Sequence, residues 1–146
     1  MDSRGIITSD LIFASILILM VIGSILTIIT ERLDAVSKTE ETGKARMIAE
    51  NVAEIINNVY SGGNGHSANI SLPANITDKN YEIKINSSGV FVLIDGMIGK
   101  AYVAPNKFSS SDLFKETSIC MHNNRKYLIK NVADEDGNNW IIITET

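Results

Sequence analysis

At 146 residues the chain has room for one modest domain and an anchor, and none for a second catalytic domain. A formal net charge of −4 and a pI near 5.1 argue against a basic surface for phosphates, so nucleic acid is not an expected partner. The lone cysteine, Cys120, rules out an intramolecular disulfide, and stability has to come from packing.

The first element is a polar leader, MDSRG, followed by a run without charge over residues 11–29. About 20 apolar residues at 1.5 Å each cross a hydrocarbon core of about 30 Å, so this run is long enough to span a membrane. A secretory signal has a shorter apolar stretch, about 7–15 residues, and a small-x-small cleavage site. Here the run meets Thr30-Glu31-Arg32-Leu33-Asp34, which offers no such site, and the segment should stay attached. Arg4 precedes the run, whereas Glu31, Asp34, Glu40 and Glu41 outnumber Arg32 and Lys38 after it. Positive residues favour the cytoplasmic side, so the C-terminal part is expected outside.

Asp10 is the acid at the mouth of the run. A carboxylate at mid-bilayer costs about 2.5–3.5 kcal/mol and less near the interface, so its charge needs a reason. One reason is capping: Ser9 or Asp10 at a helix N-terminus would accept from free backbone N–H groups and suit the positive end of the dipole. The other comes from Arg4-Gly5, Ile6 and Asp10 taken together. A cut after Gly5 makes Ile6 the new amino terminus and Asp10 the fifth residue.

That arrangement resembles the type IV pilin precursor, and more closely the archaeal pilin-like proteins with a class III signal peptide. Asp10 and Ile6 stand where most bacterial members carry Glu and often Phe. The resemblance implies a leader over residues 1–5 removed by a prepilin peptidase, with Gly5 and Ile6 flanking the cut. It also implies a hydrophobic helix over residues 6–30 that lies in the membrane before assembly and in a filament core afterwards. Asp10 would then meet the new amine of a neighbouring subunit and set the register, since neither charge is well solvated in an apolar core. The implied partners are identical or related pilin subunits, the peptidase, an assembly ATPase and a membrane platform protein.

Residues 31–60 read as an amphipathic continuation. Ile48, Val52, Ile55 and Val59 recur at helical spacing, Met47 and Ile56 widen the stripe, and Glu50, Asn51, Glu54, Asn57 and Asn58 lie opposite. Gly43 is the weak point, where a bend or melted turn is expected at a cost of about 1 kcal/mol against Ala. Ser61-Gly62-Gly63-Asn64-Gly65 ends the helix. Starting near Ser9, it would run about 50 residues, or about 75 Å.

Beyond the glycines the period falls to two, with strands expected over residues 68–72, 81–86, 90–95, 99–104, 126–132 and 140–144. Residues 81–95 form a hairpin and Gly96 a second tight turn. The fold class is α+β: a long N-terminal helix packed on a small head over residues 66–146, a single antiparallel sheet whose apolar face covers the helix stripe.

No residue set stands out for catalysis. His66, His122 and Cys120 are too few for a structural zinc, and the expected reading is a buried thiol beside an exposed imidazole. Alternation would send Cys120 and His122 to the same strand face, without the base and orienting group that a nucleophile needs. The glycine run follows a helix and has no adjacent Lys, so it is not a phosphate loop. Asp134-Glu135-Asp136 lacks EF-hand spacing and reads as a solvated hairpin turn, and Asp112 and Glu116 have no evident ligand partner. Asn69-Ile70-Ser71, Asn75-Ile76-Thr77 and Asn86-Ser87-Ser88 fit the N-glycosylation pattern. No metal, cofactor or enzymatic role is expected. The function expected is a structural pilin of an archaeal surface filament; the alternative is an uncleaved, membrane-anchored accessory or stator protein with a β-rich binding head.

Overall fold

The structure is a computed structural model; it describes the backbone of residues 3–115 and 117–146 and the side chains from residue 10 onward, Glu116 excepted. Met1 and Asp2 of the leader lie outside the described residues, as do the side chains at Arg4, Gly5 and Ile6. The chain divides into two compact units, Met1–Thr39 and Glu40–Thr146. One helix, α1 (Ser3–Ser61), supplies all of the described first unit and the opening of the second.

In the first unit every described side chain is exposed. The apolar ones point in all directions, among them Leu11, Phe13, Leu17, Leu19, Met20 and Leu26. A helix that is apolar all round has no wet face. Its hydroxyls follow the same logic, because each bonds back to its own helix. Ser15 Oγ donates to Leu11 O at 2.7 Å, Ser24 Oγ to Met20 O at 2.9 Å, Thr27 Oγ1 to Gly23 O at 3.0 Å and Thr30 Oγ1 to Thr27 O at 2.9 Å. No side-chain polar group over residues 11–30 needs water.

Two helix expectations are corrected. The helix begins at Ser3 rather than near Ser9, so Ser9 and Asp10 are interior and cannot cap it. Nothing before Ile6 forces a stop: proline is absent, and extending a formed helix costs far less than nucleating one. Gly43 causes no break either, and an added Cβ there would meet nothing within 4 Å.

In the second unit α1 buries Ala45, Ala49, Val52, Ala53, Ile56 and Val59. The buried stripe is rotated from the expected one: Ile48 and Ile55 are only half-buried and Met47 is 69% exposed. Alanines hold the seam because a backbone lies against it. A Cβ added at Gly99 would come within 2.5 Å of Ala45 C and Arg46 N, so strand and helix touch main chain to main chain.

Eight strands complete this unit: β1 (Ser67–Ser71), β2 (Glu82–Asn86), β3 (Gly89–Ile94), β4 (Met97–Ala101), β5 (Phe108–Ser109), β6 (Ile119–His122), β7 (Lys126–Ala133) and β8 (Asn139–Glu145). They form two four-stranded sheets, ordered β1-β7-β8-β5 and β4-β3-β2-β6, in place of the single sheet expected. The pairing is antiparallel except for β5 on β8, which is parallel with Phe108 opposite Ile141. Strands β5 and β6 were not anticipated, being two and four residues long.

The inner faces alternate as a half-buried sheet should. Ile83, Ile85, Val90, Val92, Ile94, Ile119 and Met121 come from one sheet and Ile70, Tyr127, Ile129, Ile141 and Ile143 from the other, all in one core with the helix stripe. Strand β8 is buried on both faces, which is why Trp140 and Ile142 are apolar as well. Part of the cover for that outer face is Phe114, whose ring centroid lies 5.8 Å from that of Trp140, with the Lys107 ammonium 5.2 Å above the indole.

Strand β7 also closes the end of the helix. The buried Asn131 donates from Nδ2 to Tyr60 O at 3.1 Å and to Val59 O at 3.5 Å, serving carbonyls that the last turn leaves without an intrahelical partner. Gly63 and Gly65 then turn the chain with φ of 82° and 86°.

Candidate functional site

The most distinctive surface is the first unit itself. Its apolar circumference carries no ionisable side chain over residues 11–30, and Asp10 stands at its lower edge with an exposed side chain. Asp10 follows seven residues of helix, so the helix's own N-terminal N–H groups do not explain its charge. Gly5 and Ile6, the expected leader junction, lie on helical backbone, and their side chains are outside the described residues.

The second unit opens on a buried charge. Glu41 is 2% exposed and is the first buried residue of the described helix. Lys79 Nζ lies 2.8 Å from Glu41 Oε1 and 2.8 Å from Asp95 Oδ2, bringing together the helix, the turn before β2 and the β3–β4 turn. The two turns carry left-handed backbone at Thr77, Asp78, Asp95 and Gly96, and Thr77 Oγ1 is buried without a hydrogen-bond partner. The Asp95 and then the Glu41 carboxylates push the Lys79 ammonium above its ordinary range. Next to it, burial pushes the Tyr81 hydroxyl up to about 12, and that hydroxyl donates to Pro73 O at 2.7 Å. Sequence reading missed this cluster, since Glu41 looks like any acid following a membrane run.

Cys120 and His122 do share one face of β6, but the thiol is exposed, not buried. The inward positions of that short strand go to Ile119 and Met121. Partial burial and the Glu82 carboxylate raise the Cys120 pKa, which opposes thiolate formation. His66 lies apart, at the helix end beside Gly62. Among the described residues no three His, Cys, Asp or Glu side chains converge as metal ligands would.

The acidic run is a turn built around one carboxylate. Asp134 Oδ1 accepts from Asn138 N at 2.7 Å and Asp136 N at 3.1 Å, and Oδ2 accepts from Trp140 Nε1 at 2.8 Å and Asn138 Nδ2 at 3.0 Å. The Trp140 bond above all, then those of Asn138, pull Asp134 down to about 2. With its oxygens so engaged, Asp134 is a framework group. Asp112 is exposed, and Glu116 lies outside the described residues.

The three glycan-type asparagines fall on separate features. Asn69 is exposed on edge strand β1, Asn75 is exposed in the loop after it, and Asn86 is half-buried at the β2–β3 turn, where its Oδ1 accepts from Ser88 N at 2.8 Å. No family model matches the chain, and no curated protein and no solved structure matches it either.

Proposed function

We propose that the chain is a structural subunit of a type IV pilus-like surface filament of the archaeal kind, held in the membrane by its N-terminal helix before assembly and joined to other copies through that helix afterwards. The observation that carries this reading is the first unit: a helix apolar on every side, with its hydroxyls satisfied internally and one carboxylate at its edge that caps nothing. Such a surface requires an apolar surrounding, which lipid supplies first and neighbouring helices supply later. Lipid and helices are equally apolar, so transfer between them has little driving force of its own. Asp10 then adds what apolar packing lacks, a defined axial register, by meeting the amine of a processed neighbour at Ile6. A peptidase, an assembly ATPase and a membrane platform protein are the partners this reading requires, and glycans at Asn69 and Asn75 are compatible with an external head.

A second reading has its own support. The backbone is helical across Gly5 and Ile6, whereas a peptidase needs an accessible bond there. In that case the chain keeps its leader and serves as a membrane-anchored surface protein with a binding head.

Replacing Asp10 with Ala separates the two. The filament reading predicts an unchanged amount of membrane-inserted chain with at least a tenfold loss of chain in sheared surface filaments; equal incorporation of the variant would remove the register role.

A further inference from the structure

Among the described residues, the most exposed large apolar side chain is on the head. Leu113 is 85% exposed, in the segment between β5 and β6. Its position is set by the residue that follows. Phe114 sits at φ 51°, a left-handed conformation that an aromatic residue adopts only under constraint, and its ring packs on Trp140 at 55°. With Phe114 turned inward, residue 113 is held outward, flanked by Asp112 and Lys115.

The second sheet offers a matching hollow. An open cleft of about 550 Å³ has an apolar wall of Leu93, Met97 and Ile98 and a polar rim of Glu82, His122 and Asn123. Ile98, Leu93, Glu82 and His122 are consecutive partners across β4, β3, β2 and β6, so they form one row across the outer face. Leu113 does not fill this cleft in its own molecule, since it is itself almost wholly exposed.

We propose that Leu113 of one copy seats in the Leu93–Met97–Ile98 cleft of the next copy's head, with Lys115 toward Glu82 and Asp112 toward His122. The match is of both shape and charge: an apolar knob meets an apolar wall, and one cation and one anion meet one of each. The two surfaces are different patches of the same chain, so the contact is heterologous and can repeat without closing. It rests on the filament reading and adds a head-to-head contact to the helical one.

The test uses the full chain with Cys120→Ser as background and Leu113→Cys and Ile98→Cys added singly and together. In isolated filaments a short bismaleimide should link the double variant into a ladder of dimers, trimers and longer species, and leave each single variant monomeric. Intact filaments without a ladder would overturn the contact, as would dimers from Leu113→Cys alone, which mean a like-to-like contact. Leu113→Asp should lower filament yield at least fivefold while the membrane-inserted chain stays constant; an unchanged yield overturns the proposal. If cells make no filaments, the filament reading fails by itself. The same cross-linking on membranes then decides the contact, a ladder supporting it and monomers overturning it.

Discussion

Asp134 organises more of the head than its place in an acidic turn suggests. It receives the indole N–H of Trp140, the only tryptophan of the chain, and through it fixes the start of β8. Its folded-state pKa, about 2, lies below the ordinary 3.8, so the stability it contributes is present above pH 3.8 and drains away as pH falls toward 2. The tryptophan reports this directly. Fluorescence of the detergent-solubilised chain should hold constant from neutral pH to about pH 4 and change below it, whereas Asp134→Asn should show a flatter acid limb; identical limbs would remove Asp134 from the account. That this run is a turn was readable from Gly137 and the asparagines around it. That it is a hydrogen-bonded hub was not, because the decisive partner, Trp140, is recruited by the way β7 and β8 pair. Cys120 failed for a related reason: four residues alternating inside and out give too short a pattern to tell which face is the core.

At the scale of elements, α1 is one helix with two different surroundings, and its buried stripe in the head is made of small residues so that β4 can approach. Gly99→Ala places a methyl within 2.5 Å of Ala45 and Arg46 backbone atoms. Backbone cannot swing aside as a side chain does, so the variant should lose about 1–3 kcal/mol in denaturant unfolding of the head. A loss under a few tenths would mean that the two main chains separate freely. Asn131→Leu tests the other end of the stripe. It removes the donor to Tyr60 O at 3.1 Å and should cost about 1–3 kcal/mol, with faster amide exchange over the last turn of α1. Unchanged exchange there would show that the carbonyls find other donors. Six of the eight strands and the helix end were legible, because alternation and glycines mark them locally. The division into two sheets was not. It depends on β8 being apolar on both faces and covered outside by the segment carrying Phe114, a consequence of packing with no local sequence mark.

For the whole molecule, the sequence located the chemistry and the structure removed one competing account of it. An apolar helix with an acid near its start was legible at once. Whether that acid merely capped the helix depended on where the helix begins, and a start at Ser3 takes capping away. What remains is a carboxylate at the edge of an apolar surface, for which an amine on another copy is the partner that chemistry recommends. The claim at the centre is therefore that the chain polymerises after losing its first five residues. Intact mass of the chain recovered from sheared surface filaments tests it most directly. The account predicts a species beginning at Ile6 with Asp10 fifth; filaments whose subunits retain Met1, or filaments from which this chain is missing, would contradict it.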